Sequence, residues 1–392
     1  MRLSGDRLPS GPWVFGRQVE RRARGDAGDV GPAPINGELV EVVDSAERYV
    51  GTGLYNGASD IRVRLLSRGR RSELTKIRPF LERKLAAADR LRKKRLGLTE
   101  HGNAYRIAHA EGDDLSGLIV DRLGDVLVCE HHSLGFWKLR DDVAWALSRL
   151  YPDAEVIHRV PKPARNAENF EPEDEPRDVG RIEIVEHGVT FVVRPAVGHK
   201  TGHFCDQREN RLLVGRLCGG ADVLDLCCNG GGFGLQAKKH GARRVRSVDL
   251  DEAVLELARD AARRNRLEIE HLHADAFDVL RSVRGGRERP DVVVLDPHKL
   301  ITDRSRMDAG LKKYGDMNTL ALEAVKPGGL VATFSCSGLL DLPSFVGMLF
   351  QAARRARREM RLLSTLEAGP DHPQRPDFSR SRYLKGTLLA VD

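Results

Sequence analysis

At 392 residues, the chain has room for two or three domains of ordinary size. Hydrophobic residues make up 41% and charged residues 31%, which excludes collagen-like and wholly disordered classes and provides for a proper core. Lys and Arg outnumber Asp and Glu by 64 to 57, a net charge of +7 that permits a polyanionic partner without requiring one. No apolar run approaches the roughly 20 residues of a membrane-spanning helix. The first residues, Met1 to Asp6, lack the apolar core of a secretory signal. Six scattered cysteines form no disulfide framework. A reduced, cytoplasmic, multidomain protein without membrane contact is expected.

Residues 1–69 read as a small β-barrel. Ile61, Val63 and Leu65 alternate with Arg62, Arg64 and Leu66, the period of a half-buried strand. The runs 38–43 and 49–55 flank a polar turn at Asp44 to Glu47, and Gly25 to Gly37 reads as a mobile loop. Residues 70–95 carry eleven basic side chains against three acidic ones. Pro79 suits a first helical turn, and Leu81, Leu85, Ala88 and Leu91 recur at helical spacing with Arg83, Lys84, Arg90 and Arg92 to Arg95 around them. Such a face is either simply solvated or in contact with phosphates. Residues 101–187 read as a middle α+β domain with strands at 118–120 and 126–128, a helix near 138–150, and an acidic loop from Glu168 to Asp178.

From residue 188 to 392 strands and helices alternate, predicting a doubly wound parallel sheet that binds its ligand at the carboxyl ends of its strands. Val223 to Cys227 runs into Asn229-Gly230-Gly231-Gly232; later strands end at Asp249, Asp296-Pro297 and Ser335-Cys336. The glycine loop fails the dinucleotide fingerprint because Leu235 stands at the third glycine position, and no Gly-Lys-Ser/Thr makes it a phosphate loop. S-adenosylmethionine (SAM) needs close backbone approach and a carboxylate for its ribose. Gly230, Gly231 and Gly232 offer the first. Asp249, 24 residues after Asp225, offers the second, and Asp275 is placed to face the adenine amino group.

Several blocks resemble the RlmI-like methyltransferases, which make 5-methylcytosine in large-subunit ribosomal RNA. These are Gly198-His199-Lys200-Thr201-Gly202 with Asp206-Gln207-Arg208, Gly231-Gly232-Phe233, Asp296-Pro297 and Phe334-Ser335-Cys336-Ser337-Gly338. Pro12-Trp13, Gly53 to Asn56, Asp114 to Arg122, Asp371-His372-Pro373 and Tyr383-Leu384-Lys385-Gly386 extend the likeness along nearly the whole chain. It implies a PUA-like RNA-binding barrel, a middle domain and a C-terminal Rossmann-like class I methyltransferase domain. The implied cofactor is SAM, held by Asp225, Asn229, Gly230, Gly231, Asp249, Asp275, Gln207 and Asp296. The implied partner is RNA, ribosomal RNA in the first place, with homodimer formation left open. The chain departs from the family at Asp296-Pro297-His298-Lys299, where the pattern is Asp-Pro-Pro-Lys, and at Cys227 and Asn229 in the glycine loop.

Cytosine C5 is a poor nucleophile until a thiolate adds to C6, so the implied reaction needs a cysteine and an acidic group near N3. Cys336 is the expected nucleophile and Asp296 the N3 partner, with Lys299 depressing the thiol pKa or holding a phosphate. The plain alternative for Cys336 is a buried packing residue. Cys227 and Cys228 read as packing beside the cofactor loop, Cys129, Cys205 and Cys218 as chemically idle, and no metal site is expected. Methylation of a different base or atom, and a non-catalytic RNA-binding assembly factor, are the rival readings.

Overall fold

A computed structural model describes residues 1–4, 8–20, 34–69, 74–195, 201–284, 286 and 288–392. Most of the Gly25–Gly37 loop, Arg70 and Arg71 of the basic run, and Gly198, His199 and Lys200 lie outside the described residues. The chain forms two compact units. One comprises Met1–Gly180, Arg194–His203 and Pro370–Ser381; the other comprises Arg181–Val193, Phe204–Gly369 and Arg382–Asp392.

The first unit begins with strands β1 (Trp13–Phe15), β2 (Leu39–Val43), β3 (Tyr49–Tyr55) and β4 (Ile61–Ser67), paired antiparallel in the order β1-β4-β3-β2. The expected half-buried strand is instead buried on both faces from Val63 to Leu66. Val63 and Leu65 pack with Leu3, Val14 and Val42, while Leu66 joins a larger core with Phe80, Leu81 and Tyr105. Arg64 is tolerated inside because Glu168, 2.9 Å away, neutralises it. Glu168, read from sequence as the start of an acidic loop, is fully enclosed. It accepts from Asn56 Nδ2, Ser59 Oγ, Arg64 and the Leu134 amide.

Helix α1 (Ile77–Arg90) carries Pro79 in its first turn and buries Leu81, Leu85 and Ala88, as the spacing predicts, together with Phe80. It then widens into one π-helical turn, Leu91–Arg95. The wider turn shifts the inward face by one residue. Leu91, expected inside, is exposed, and Arg92, expected on the basic face, has no exposed surface. Its guanidinium grips both Asp113 oxygens at 2.7 Å and donates to the carbonyls of Arg106 and Asp371. Lys94 and Arg95 remain exposed. Strands β5 (Ala104–His109), β6 (Leu118–Leu123), β7 (Val126–His131) and β8 (Glu155–Arg159) form a second sheet in that order. Helices α2 (Leu134–Lys138) and α3 (Arg140–Ser148) lie between β7 and β8, and α4 (Lys162–Glu168) follows.

The second unit contains the hairpin β9 (Ile182–Glu186) and β10 (Val189–Val193), helix α5 (Arg208–Arg216), and a seven-stranded sheet. Its elements run β11 (Asp222–Leu226), α6 (Gly232–Lys239), β12 (Arg244–Asp249), α7 (Glu252–Asn265), β13 (Glu270–His273), α8 (Ala276–Arg284), β14 (Val292–Leu295), α9 (Met307–Ala324), β15 (Gly329–Ser335), α10 (Leu342–Ala356), β16 (Met360–Leu366) and β17 (Lys385–Val391). The order across the sheet is β13-β12-β11-β14-β15-β17-β16. The expected parallel pattern holds except at β17, which runs antiparallel to both neighbours. Its apolar strands are covered by α8, α9 and α10 through Leu280, Tyr314, Leu322, Phe345 and Leu349. No helix among the described residues is long and apolar enough to cross a membrane.

The contrast between Arg92 and Arg95 is measurable. Arg92→Ala strands the Asp113 carboxylate in the interior and is expected to cost about 3–5 kcal/mol, read as a fall in the urea midpoint. Arg95→Ala is expected to stay within about 0.5 kcal/mol of the parent. Equal midpoints for the two variants would refute the buried role of Arg92.

Candidate active site

The turn between β11 and α6 is built from unusual backbone. Cys227, Asn229 and Gly231 have φ of 57°, 48° and 72°. Asn and Gly adopt this left-handed region readily; for Cys227 it stores roughly 1–3 kcal/mol of strain. The turn is pinned to β12: Cys228 donates its amide to Val248 O, and the Asn229 amide donates to Asp249 Oδ2 at 2.8 Å. A Cβ on Gly234 would lie 2.4 Å from Ser247 Oγ, so this glycine, which sequence reasoning passed over, permits close packing of α6 on the sheet. A Cβ on Gly230 would meet nothing within 4 Å, so its backbone faces open space.

Asp225 is fully buried in β11 and accepts the Gly234 amide at 2.9 Å through Oδ2. Its Oδ1 has no hydrogen-bond partner among the described residues. Burial, resisted by the Gly234 N–H and reinforced by the charges of Asp296 and Asp249, pushes this carboxyl up to about 7. Asp249 ends β12 half-buried, also accepting from the Asp251 amide. Asp275 accepts from the Phe277 amide at 2.7 Å, a cap at the start of α8. Asp296 follows β14 and accepts from Gln207 Nε2 at 2.9 Å; Gln207 is buried and is itself held by Asn210. Asp225, Asn229, Gly230, Gly231, Asp249, Asp275, Gln207 and Asp296 thus gather at one edge of the sheet. Cys227 lies within the field of Asp249, Asp296, Asp225 and Asp275, and burial with these charges pushes its thiol far up.

Cys336 follows β15, half-buried between the buried Ser335 and Ser337. Ser337 Oγ bonds the Tyr314 hydroxyl at 3.0 Å and accepts the Ile301 amide at 3.2 Å, tying this turn to the loop after β14. Lys299, like its neighbour His298, is exposed on that loop. The cation enclosed beside Cys336 is Lys385, the first residue of β17, paired in register with Ser335. Only 4% exposed, it donates to the carbonyls of Ser337 at 2.6 Å and Tyr383 at 2.7 Å. Burial pulls its ammonium down to about 8, against the opposing pull of Cys336 and Asp341. The sequence signal for it was one lysine opening an otherwise apolar terminal strand. Burial pushes the thiols of Cys129, Cys218 and Cys228 up as well, which leaves them protonated at neutral pH.

A family model of PUA-like domains matches residues 10–68, and one of methyltransferase domains matches residues 223–313. The chain is 34% identical to "Ribosomal RNA large subunit methyltransferase I" of Shewanella frigidimarina, over 97% of this chain and 95% of that protein. The protein of the same name from Aeromonas salmonicida is also 34% identical, over 96% of this chain and 94% of its own. The fold matches the crystal structure of SMU.776 complexed with SAH at a TM-score of 0.79 and 18% identity, covering 97% and 96% of the two chains. A structure assigned as a SAM-dependent methyltransferase from Streptococcus mutans gives 0.77 at 18% identity with the same coverage.

The raised carboxyl of Asp225 has a consequence for stability. Folding moves it from the ordinary 3.8 to about 7. Between those values the folded protein holds one proton more than the unfolded chain, so stability falls as pH rises through this window and levels off above it. Asp225→Asn keeps an acceptor for Gly234 and removes the titration. Its advantage over the parent is expected to grow by about 4 kcal/mol between pH 4 and 7. Urea midpoints of the two proteins that run parallel across this range would exclude the protonated carboxyl.

Proposed function

The chain belongs to the ribosomal RNA large subunit methyltransferase I family, and on that premise we propose that it methylates C5 of a cytosine in large-subunit ribosomal RNA through a covalent bond from Cys336 to C6. The observation that carries this reading is Cys336 in the turn after β15, one strand from Asp296 after β14, with a buried cation beside it. That substrate implies a cytoplasmic site of action.

The residues at the sheet edge fit SAM. Gly230 leaves its approach open, Asp225 Oδ1 is a buried acceptor without a partner among the described residues, and Asp249 presents a carboxylate at a strand end suited to ribose hydroxyls. Asn229, Gly231, Asp275, Gln207 and Asp296 complete the set that would hold it. When bound, SAM supplies an electrophilic methyl group on a sulfonium, a cation that the neighbouring carboxylates of Asp249, Asp275 and Asp296 favour.

The target base must leave its stack, or be single-stranded, before a sulfur can reach C6. Addition of the Cys336 thiolate to C6 moves electron density to C5 and N3. Asp296, held by Gln207, donates the proton of its acidic form to N3 as the sulfur adds, which stabilises the adduct, and takes that proton back when the ring is restored. With C5 methylated, loss of the C5 proton and departure of the thiolate restore the ring. The exposed Lys299 is suited to a phosphate of the same nucleotide strand. In the first unit, the exposed Arg83, Arg90, Lys94 and Arg95 supply phosphate contacts that position the RNA without reading its sequence.

Cys336→Ala is expected to abolish methyl transfer while SAM affinity is retained. The parent is expected to form a denaturation-resistant complex with RNA carrying 5-fluorocytosine at the target, because fluorine blocks the final elimination, and Cys336→Ser is expected to form none. Methylation retained by Cys336→Ala would exclude the covalent route and leave methylation of another base or atom.

Neutralising Arg83, Arg90, Lys94 and Arg95 together is expected to weaken many RNAs alike and to flatten the salt dependence of binding by about 0.7 per lost single-strand contact. An unchanged slope would mean that this face is merely solvated.

A further inference from the structure

We infer that Lys385 is the positioning residue that keeps the Cys336 sulfur ionised: its buried Nζ takes the thiol proton and stays beside the sulfur as an ammonium. The inference rests on the covalent chemistry proposed above and assigns to Lys385 one of the two roles expected of Lys299 from the sequence.

The geometry leaves little else for this side chain to do. Lys385 sits 4% exposed at the edge where the parallel strands end, and its two hydrogen bonds go to neutral carbonyls. Among the described residues no carboxylate lies within ion-pairing distance of it. A buried ammonium without a counter-charge is costly, and a protein normally relieves it by neutralisation or by pairing. The groups that face it are few. Asp341, at the start of α10, is committed to capping that helix through the Ser344 amide. Lys299, on the loop after β14, repels it. The Tyr314 hydroxyl on α9 is buried, pushed up by that burial, and spent on Ser337, so it carries no charge. Tyr383, just before β17, donates its hydroxyl to Asp206. Among the described residues, the groups near Lys385 that can carry a negative charge are Asp341, whose carboxylate caps α10, and Cys336.

The energetics agree. Burial brings the lysine down to about 8, next to the ordinary value of a free thiol, about 8.5. The attraction of Cys336, already contained in that value, is what holds the ammonium against its burial, and the same attraction favours a thiolate beside it. The sulfur lone pair so released forms the bond to C6. On elimination that electron pair returns to sulfur beside the same ammonium, while the C5 proton leaves to solvent. The enzyme is regenerated as the pair, with the proton still on Lys385 and none gained or lost there over the cycle.

The test is alkylation of the full-length protein by iodoacetamide between pH 5.5 and 9.5, with the Cys336 peptide quantified by mass. The parent is expected to show a midpoint below that of a free thiol. In Lys385→Met the midpoint is expected to rise by about one pH unit or more, with a roughly tenfold slower reaction at pH 7. Lys385→Arg, which keeps a cation, is expected to restore the low midpoint. Should the variants fold poorly, ultraviolet thiolate absorbance of the parent minus Cys336→Ser across the same pH range reads the ion pair directly. A midpoint in the parent at or above that of a free thiol, or one indifferent to Lys385, overturns the inference. Failure of the 5-fluorocytosine complex alongside a Lys385-dependent midpoint would instead remove the C5 chemistry and leave the pair standing.

Discussion

The strand that runs the wrong way organises the second unit. Parallel strands deliver their carboxyl ends, and whatever residues follow them, to a single edge. Here that edge receives Asp249, Asp296 and Cys336. Because β17 is reversed between β15 and β16, it delivers its first residue to the same edge, and that residue is a lysine. A fully parallel sheet would have carried Lys385 to the opposite end, away from Cys336. Gly386 next to it allows the close fit, since a Cβ there would lie 2.3 Å from the Phe334 ring.

The edge is divided electrically. Around the glycine turn stand Asp225, Asp249, Asp275 and Asp296, whose field adds to burial in pushing the Cys227 thiol up; one stride along the sheet stands a buried cation, Lys385. Two half-buried cysteines therefore stand in opposite fields. Cys227 is held as a thiol by the carboxylates, and Cys336 has the lysine.

Much of this was legible in the sequence, for reasons that are local. The apolar run into Asn229-Gly230-Gly231-Gly232 and the aspartates ending successive strands are consequences of backbone geometry, and they lie where the pattern places them. What escaped were features decided by distant partners. Alternation along β4 could not anticipate that Arg64 would be buried, because its acceptor Glu168 is 104 positions away. The basic run could not disclose that one π-helical turn rotates Arg92 inward to Asp113. The direction of β17, and with it the place of Lys385, depends on a pairing that no short-range pattern encodes.

Arg92 and Arg106 make one further point, about the order in which the chain takes shape. The carbonyl of Asp371 accepts from Arg92 across 279 positions, and its carboxylate accepts the Arg106 amide across 265. Both bonds belong to the first unit, yet that unit reclaims residues 370–381 only after almost the entire second unit has been synthesised. During translation the amino-terminal part must wait with a buried guanidinium and a strand amide lacking these acceptors. Closing such long loops is slow and leaves apolar surface open meanwhile. The last segments of the polypeptide thus act as a latch on the first, and an incomplete chain cannot bring its amino-terminal unit to the finished state.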